Sequence, residues 1–241
     1  MKLELCELGD ADYGLLSFSP FCEKVHRALQ FYQLPYTRRH ANRPGEHTAL
    51  NPAGQVPVLL IDTEVVADST AIVLRLEGLS PHSLLPMDAR LRAEAWLLED
   101  FADSVMAQYI PVARWLDERH WPLNKHVYSE GVPKPLRSFV ENLVRNRVAK
   151  AYAKRDVLKQ GIDAAWCEFQ RQLDNLDARA PANNFWLGET LTVGDISLFA
   201  ALQELRIPLT PWHRDQIEQR QTLADWLDRV DTSTRASTLT P

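Results

Sequence analysis

The stretch NPAGQVPVLLIDTEVVADSTAIVLRLE, residues 51–77, constrains the fold of this chain more than any other. Asn51-Pro52 and Gly54 make a turn. Val58 to Ile61 is a short apolar run of the buried-strand type, and Glu64-Val65-Val66 reads as its hairpin partner. Asp68-Ser69 then supplies helix-starting side chains ahead of a helical segment. Upstream, residues 2–8 alternate weakly and predict a short strand, followed by a polar loop through Gly9, Asp10, Asp12 and Gly14. Ser19 is a good N-cap, and Pro20 behind it loses no needed N–H. Val25, Ala28, Leu29 and Tyr32 follow at helical spacing, Pro35 ends that helix, and Tyr36-Thr37 begins a second strand. The order is β-α-β, then β-β-α, over residues 1–80.

The pattern then changes. Pro81, Pro86 and the polar residues between them read as a linker over 81–88. Beyond it, Trp96, Leu97, Phe101, Val105 and Ile110 predict one long helix. Ile162, Ala165, Trp166, Phe169, Leu173 and Leu176 predict another, and Ile196, Leu198, Phe199 and Leu202 a third. Residues 89–230 therefore read as an all-helical domain, interrupted over 119–138 by Pro122, Gly131, Pro133 and Pro135. Between Lys134 and Lys159 stand eight Lys or Arg (134, 137, 145, 147, 150, 154, 155, 159) against Glu141 and Asp156. A solvated helix face and a docking surface for an acidic partner both fit that run. The last segment, 231–241, is polar and reads as a flexible tail.

Several classes of function are disfavoured. A formal net charge of -5 argues against nucleic acid and against an anionic membrane as partners. The start has no basic region followed by an apolar run, and no stretch approaches the ~20 apolar residues that span a bilayer. Cys6, Cys22 and Cys167 are an odd count at wide spacing, which favours a reducing, cytoplasmic setting. Cys6 and Cys167 sit in apolar patterns and read as structural. The seven histidines form no H-x3-H pair and the cysteines no C-x2-C pair, so no metal site is expected.

The chemistry points to SPFC, residues 19–22. It reads like a C-P-F-C redox motif whose first cysteine has become Ser19. A dithiol needs two sulfurs, and Cys22 alone has nothing beside it to resolve. At a helix start, Ser19 is either only a cap or a hydroxyl that donates a hydrogen bond to a thiolate and lowers its pKa. Cys22 is either a small buried hydrophobe or an exposed, low-pKa thiol.

A β-α-β-β-β-α-type first domain carrying S-P-F-C, then V-P, then D-S, ahead of an all-helical domain, resembles the cytosolic glutathione transferase superfamily. The closest local patterns are those of the serine- and cysteine-type classes, zeta-, omega- and beta-like. The likeness is strongest over 17–77 and 185–203 and weakest over 115–160, where this chain is longer. The resemblance implies an α/β thioredoxin-like N-terminal domain plus an all-α C-terminal domain, and a cytoplasmic homodimeric transferase. Glutathione would be its co-substrate and a small electrophile its second substrate.

By the same resemblance Ser19 is the catalytic residue, with Cys22 as the alternative in a thiol transferase or reductase. Val56-Pro57, with a cis proline, would pair with the glutathione backbone. Gln55 would meet its glycyl end, Ser69 its γ-glutamyl carboxylate and Asp68 its ammonium, although Ser69 also reads as a plain helix cap. Asp103 would reach glutathione across a dimer interface; a solvated helix acid is the plainer reading. Tyr13, Phe18, Tyr109, Trp115 and Trp212 are candidate walls of the electrophile pocket, or packing residues. T-x-x-D at Thr192 and Asp195 reads as a capping box of structural role. A non-catalytic interaction module on the same fold is the competing function.

Overall fold

In the computed structural model the described residues are 1–7, 9, 12–41, 46–129 and 132–235. The N-terminal part is β1 (Leu3–Glu7), α1 (Pro20–Phe31), β2 (Thr37–His40), β3 (Val58–Ile61), β4 (Glu64–Ala67) and α2 (Ser69–Glu77). The sheet order is β2-β1-β3-β4, with β1 parallel to β2 and antiparallel to β3, and β3 antiparallel to β4. Val25, Ala28, Leu29 and Tyr32, the residues at helical spacing, are the buried face of α1. They pack with Leu3, Leu5, Leu59 and Ile72 in one core that runs on into the helical part. The fold is thus a small mixed sheet followed by a helical region.

The helical part is α3 (Ala89–Ser104), a single turn α4 (Tyr109–Pro111), α5 (Trp121–Tyr128), α6 (Arg137–Tyr152), α7 (Ile162–Arg179), α8 (Val193–Gln203), α9 (Pro211–Glu218) and α10 (Gln221–Thr234). Ten residues of α8 are buried, Val193 through Leu202. Gly194 lets it lie directly against α3: a Cβ there would sit 2.8 Å from the Ala95 carbonyl oxygen and 2.9 Å from Leu98 Cβ. Thr192 and Asp195 form the reciprocal capping box. Asp195 does more than cap, since Oδ1 also accepts from Trp186 N at 2.8 Å and Trp226 Nε1 at 3.2 Å. Those bonds fasten the preceding turn and α10 to the start of α8.

Three boundaries differ from the sequence reading. The long helix expected to reach Ile110 ends at Ser104 and continues as a 3-10 turn (Met106–Gln108), α4 and a π-turn (Val112–Leu116). Pro111 has no N–H to give to this ladder, so the regular i→i−4 pattern cannot pass through it. Pro122 opens α5 instead of breaking a helix, because the first turn has no use for its missing N–H. Gly131 of that segment lies outside the described residues. The flexible tail expected from 231 is helical to Thr234, where Thr234 is buried and Asp231 binds Arg27 Nη1 at 2.6 Å. Residues 236–241 lie outside the described residues. Among the described residues no helix is long and apolar enough to cross a membrane.

Candidate active site

Sheet register brings the expected glutathione-contact residues of the Val56-Pro57 turn and Asp68-Ser69 to one end of the sheet. Cys6 pairs with Val58, and Val58 with Ala67, so three strands end in one row. Val56-Pro57, a cis bond, enters that row; Asp68-Ser69 leaves it; the loop after β1 leads from it to Ser19. Two helix N-termini therefore open at the same sheet end, each with orphan N–H groups and the positive end of a dipole.

Ser19 caps α1 and is half-buried, its Oγ accepting from Cys22 N at a loose 3.5 Å. Buried residues hold the approach to it. Glu23 takes the N–H groups of Leu16 and Ser17 at 2.7 and 3.0 Å, and Arg27 Nε donates to Glu23 at 2.7 Å. Arg114 donates to the Phe18 carbonyl at 3.0 Å, and its other arm binds Glu204, whose carboxyl burial pushes up to about 8. A helix residue, a π-turn residue and the end of α8 thus fix the backbone on the N-terminal side of Ser19.

Cys22 is fully buried, and burial pushes its thiol up to about 12 despite a hydrogen bond from Ser19. The exposed, low-pKa thiol that a reductase needs is not what this position holds. Cys167 departs from expectation in the other direction: it is exposed on α7, not structural. Iodoacetamide at pH 8 is accordingly expected to label Cys167 and leave Cys6 and Cys22 unmodified in the native protein, as read by peptide mass spectrometry. Rapid labelling of Cys22 would contradict its burial.

At α2 the sequence reading has the cap one residue late. Asp68, at φ 81°, is the N-cap: Oδ1 accepts from Thr70 N and Ala71 N, both at 3.0 Å. Ser69 is the first helical residue and is buried. Asp is the better cap because its carboxylate reaches two N–H groups. Gln55 is exposed on the turn, with its carbonyl accepting from Asn51 Nδ2 at 3.0 Å.

Behind α2 lies a group of which the sequence reading named Asp103 alone. Lys24 of α1 is completely buried, binds Glu99 of α3, and reaches Asp103 at 2.9 Å and Thr70 Oγ1 at 3.2 Å. Thr70 in turn donates to Glu99. One buried cation therefore ties α1, the first turn of α2 and α3 together. Burial raises the Asp103 carboxyl to about 6, with Lys24 opposing and the Glu99 and Asp68 carboxylates adding to the rise. Asp103 is thus an internal partner of Lys24, not a solvated acid. The available signal was Glu99 and Asp103 at i, i+4, on one helix face.

The aromatic candidates do not form one wall. Tyr13 and Phe18 face each other with ring centres 6.4 Å apart, beside Ser19. Trp115 packs on Trp121 at 5.7 Å. Tyr109 lies 5.1 Å from Phe169, and Trp212 5.9 Å from Trp166, within a separate cluster of the helical part. A cleft of about 1100 Å³ opens beside that cluster, lined by Asp103, Tyr109, Arg155, Lys159, Cys167 and Arg171 among others. Tyr13, Phe18, Trp115 and Ser19 do not line it; Asp103 is what links it to the Lys24 group.

Two family models match the chain: "Glutathione S-transferase, N-terminal domain" over residues 18–79 and "Glutathione S-transferase, C-terminal domain" over 159–229. Protein LigF of Sphingobium sp. (strain NBRC 103272 / SYK-6) is 25% identical over 248 residues, covering 96% of this chain and 90% of that protein. The crystal structure of the Beta-etherase LigF superposes with a TM-score of 0.68 at 20% identity, covering 96% of this chain and 95% of that one. A glutathione S-transferase of Methylobacillus flagellatus KT, solved with GSH bound, superposes with a TM-score of 0.60 at 18% identity, covering 97% and 98% of the two chains.

Proposed function

This chain belongs to the glutathione S-transferase superfamily, and from that premise we propose that it binds glutathione at the sheet end where α1 and α2 begin. The observation that carries the reading is the convergence of two helix N-termini beside the Val56-Pro57 turn. One terminus suits the γ-glutamyl carboxylate at Ser69; the other suits a thiolate at Ser19. Val56 offers backbone groups to the cysteinyl unit like an added strand, and Gln55 stands exposed toward the glycyl end. Asp68 meets the ammonium with the carboxylate oxygen that does not cap α2.

The reaction is thiolate addition to, or substitution on, a small electrophile. Ser19 Oγ–H donates to the sulfur, which shifts the thiol toward its ionised, nucleophilic form. Tyr13 and Phe18 flank that point. Likeness to a beta-etherase along nearly the whole chain brings ethers with good leaving groups into the substrate panel. In such a step the C–S bond forms as the C–O bond breaks, and the leaving oxygen takes a proton from water. We extend the reading to a cytoplasmic homodimer on family grounds, with Asp103 near the subunit boundary.

Calorimetric titration with reduced glutathione, in two buffers of different ionisation heat, tests it. Binding with net proton release is the expected result. Binding without release would remove Ser19 from the role of thiolate donor. No binding would overturn the transferase reading and favour an interaction module. The feature favouring that second reading is an exposed apolar line along the start of α6, Leu136, Phe139 and Leu143, set among basic residues.

A further inference from the structure

The loop after the π-turn meets the start of α9 in a pocket built from histidine. Asp117 closes the π-turn, His120 precedes α5, and His213 lies in the first turn of α9. His120 and His213 are 0% exposed and Asp117 is 3% exposed. Their possible ligand atoms all lie within 4.8 Å of one another, and the two imidazole rings are 5.0 Å apart at their centres.

Three of the four imidazole nitrogens here lack a partner among the described residues, whereas Asp117 is held by Arg119. His120 Nδ1 lies 3.2 Å from the Ala113 carbonyl oxygen. A carbonyl only accepts, so the proton belongs on Nδ1 and Nε2 presents a lone pair into the pocket. Among the described residues that Nε2 has no hydrogen-bond partner, and neither does either nitrogen of His213. The remaining walls are aromatic: Trp166, Trp212 and Phe169 pack on His213 with ring centres 4.4, 4.8 and 5.1 Å away. Three buried lone-pair or N–H sites with nothing opposite them call for an occupant. A carboxylate beside two neutral imidazoles makes a cation the fitting one.

We propose that Asp117, His120 and His213 form a binding site for a divalent transition-metal ion of the Zn2+ class. His120 Nε2, one His213 nitrogen and an Asp117 carboxylate oxygen are its ligands, with water as the fourth. Two imidazoles and one carboxylate are a common zinc donor set. Tetrahedral donors at zinc distances stand ~3.4 Å apart; His120 approaches Asp117 Oδ2 through Nδ1 at 3.7 Å, so binding through Nε2 requires the ring and the carboxylate to adjust. The Nδ1–H to carbonyl bond of His120 is the outer-shell contact that orients a metal-ligating histidine. The ion's role is structural: it clips the 112–128 segment, which neither family model covers, to α9.

Arg119 opposes the ion. It grips Asp117 through Nη2 at 2.6 Å and Nε at 3.0 Å, and its guanidinium stacks 4.3 Å from the Trp212 ring centre. Its side chain is 44% exposed, so it can be changed without opening the core. A neutral residue there removes a repulsive charge and frees the carboxylate, so it strengthens metal binding.

The test uses the full chain, stripped with a chelator and dialysed against Zn2+ or Co2+. The expected result is about one retained equivalent, a higher Tm with Zn2+, and a visible ligand-field spectrum of four-coordinate Co2+. His120→Gln and His213→Gln are expected to weaken binding by more than the ~10–100-fold that loss of an outer-shell contact costs. Arg119→Gln is expected to tighten it several-fold. Folded wild-type protein that retains no metal would overturn the proposal and leave a buried water as occupant. Binding unchanged in both histidine variants would overturn it too, placing the ion elsewhere. If the histidine variants fail to fold, Arg119→Gln decides alone: affinity that is unchanged or lower sinks the site.

Discussion

Lys24→Met is expected to cost ~3–5 kcal/mol of folding stability, the range for stranding a buried charge by removing its partner. The Lys24 side chain is 0% exposed and faces Glu99, 3% exposed, and Asp103, 22% exposed. Met fills much of the volume, so the loss reports charge and not a cavity. Two carboxylates would then share one buried space, with Thr70 still donating to Glu99. Urea unfolding measures the effect. Replacing Glu99 by Gln in the same chain is expected to recover a large part of it, because an uncharged group needs no counter-ion. The local consequence is as informative as the global one. Thr70 sits in the first turn of α2, so glutathione affinity should weaken even where Lys24→Met remains folded. A stability loss under ~1 kcal/mol would mean the cluster behaves like a solvated surface pair.

Ser19→Ala is expected to lower the conjugation rate with an activated aryl halide at least ~10-fold, the equivalent of ~1.4 kcal/mol for one hydrogen bond to the thiolate. The same substitution removes a helix cap, worth ~1 kcal/mol of stability. Ser19→Gly separates the two effects. Gly caps nearly as well as Ser but has no hydroxyl, so its variant should keep the stability and still lose the rate. The loose 3.5 Å contact to Cys22 N leaves the hydroxyl free to turn toward a ligand. The pH–rate profile supplies a further check: without the Ser19 donor the apparent thiol pKa should rise toward that of free glutathione. A rate unchanged in both variants would show that Ser19 only starts α1.

Much of the fold was legible because it is written locally. A cap before Pro20, a turn at Asn51-Pro52-Gly54 and a T-x-x-D box depend on residues a few positions apart, and their propensities survive in the folded chain. Periodicity likewise marked α1, α7 and α8. The misreadings came where two local rules competed. Pro122 stands where a helix begins and Pro111 where one is interrupted, yet both are simply prolines in apolar surroundings. At α2, Asp68 and Ser69 are both good caps in sequence; only the chain path, with Asp68 at positive φ, decides between them.

The site divides in the same way. The residue types at 19, 55–57 and 68–69 belong to short motifs, and sequence alone pointed to them and to a glutathione-binding family. Their meeting at one sheet end is a consequence of strand register, Cys6 with Val58 and Val58 with Ala67. The burial of Lys24 against Glu99 and Asp103, the stranding of Cys22 in the core, and the separation of Tyr109 from Phe18 also needed the folded chain. So did the meeting of His120 with His213, since spacing rules see only ligands that share a turn. Capping, turn formation and periodicity are nearest-neighbour energies, which a sequence determines by itself. Burial and charge pairing depend on which distant segments exclude water together, and that only the tertiary structure decides.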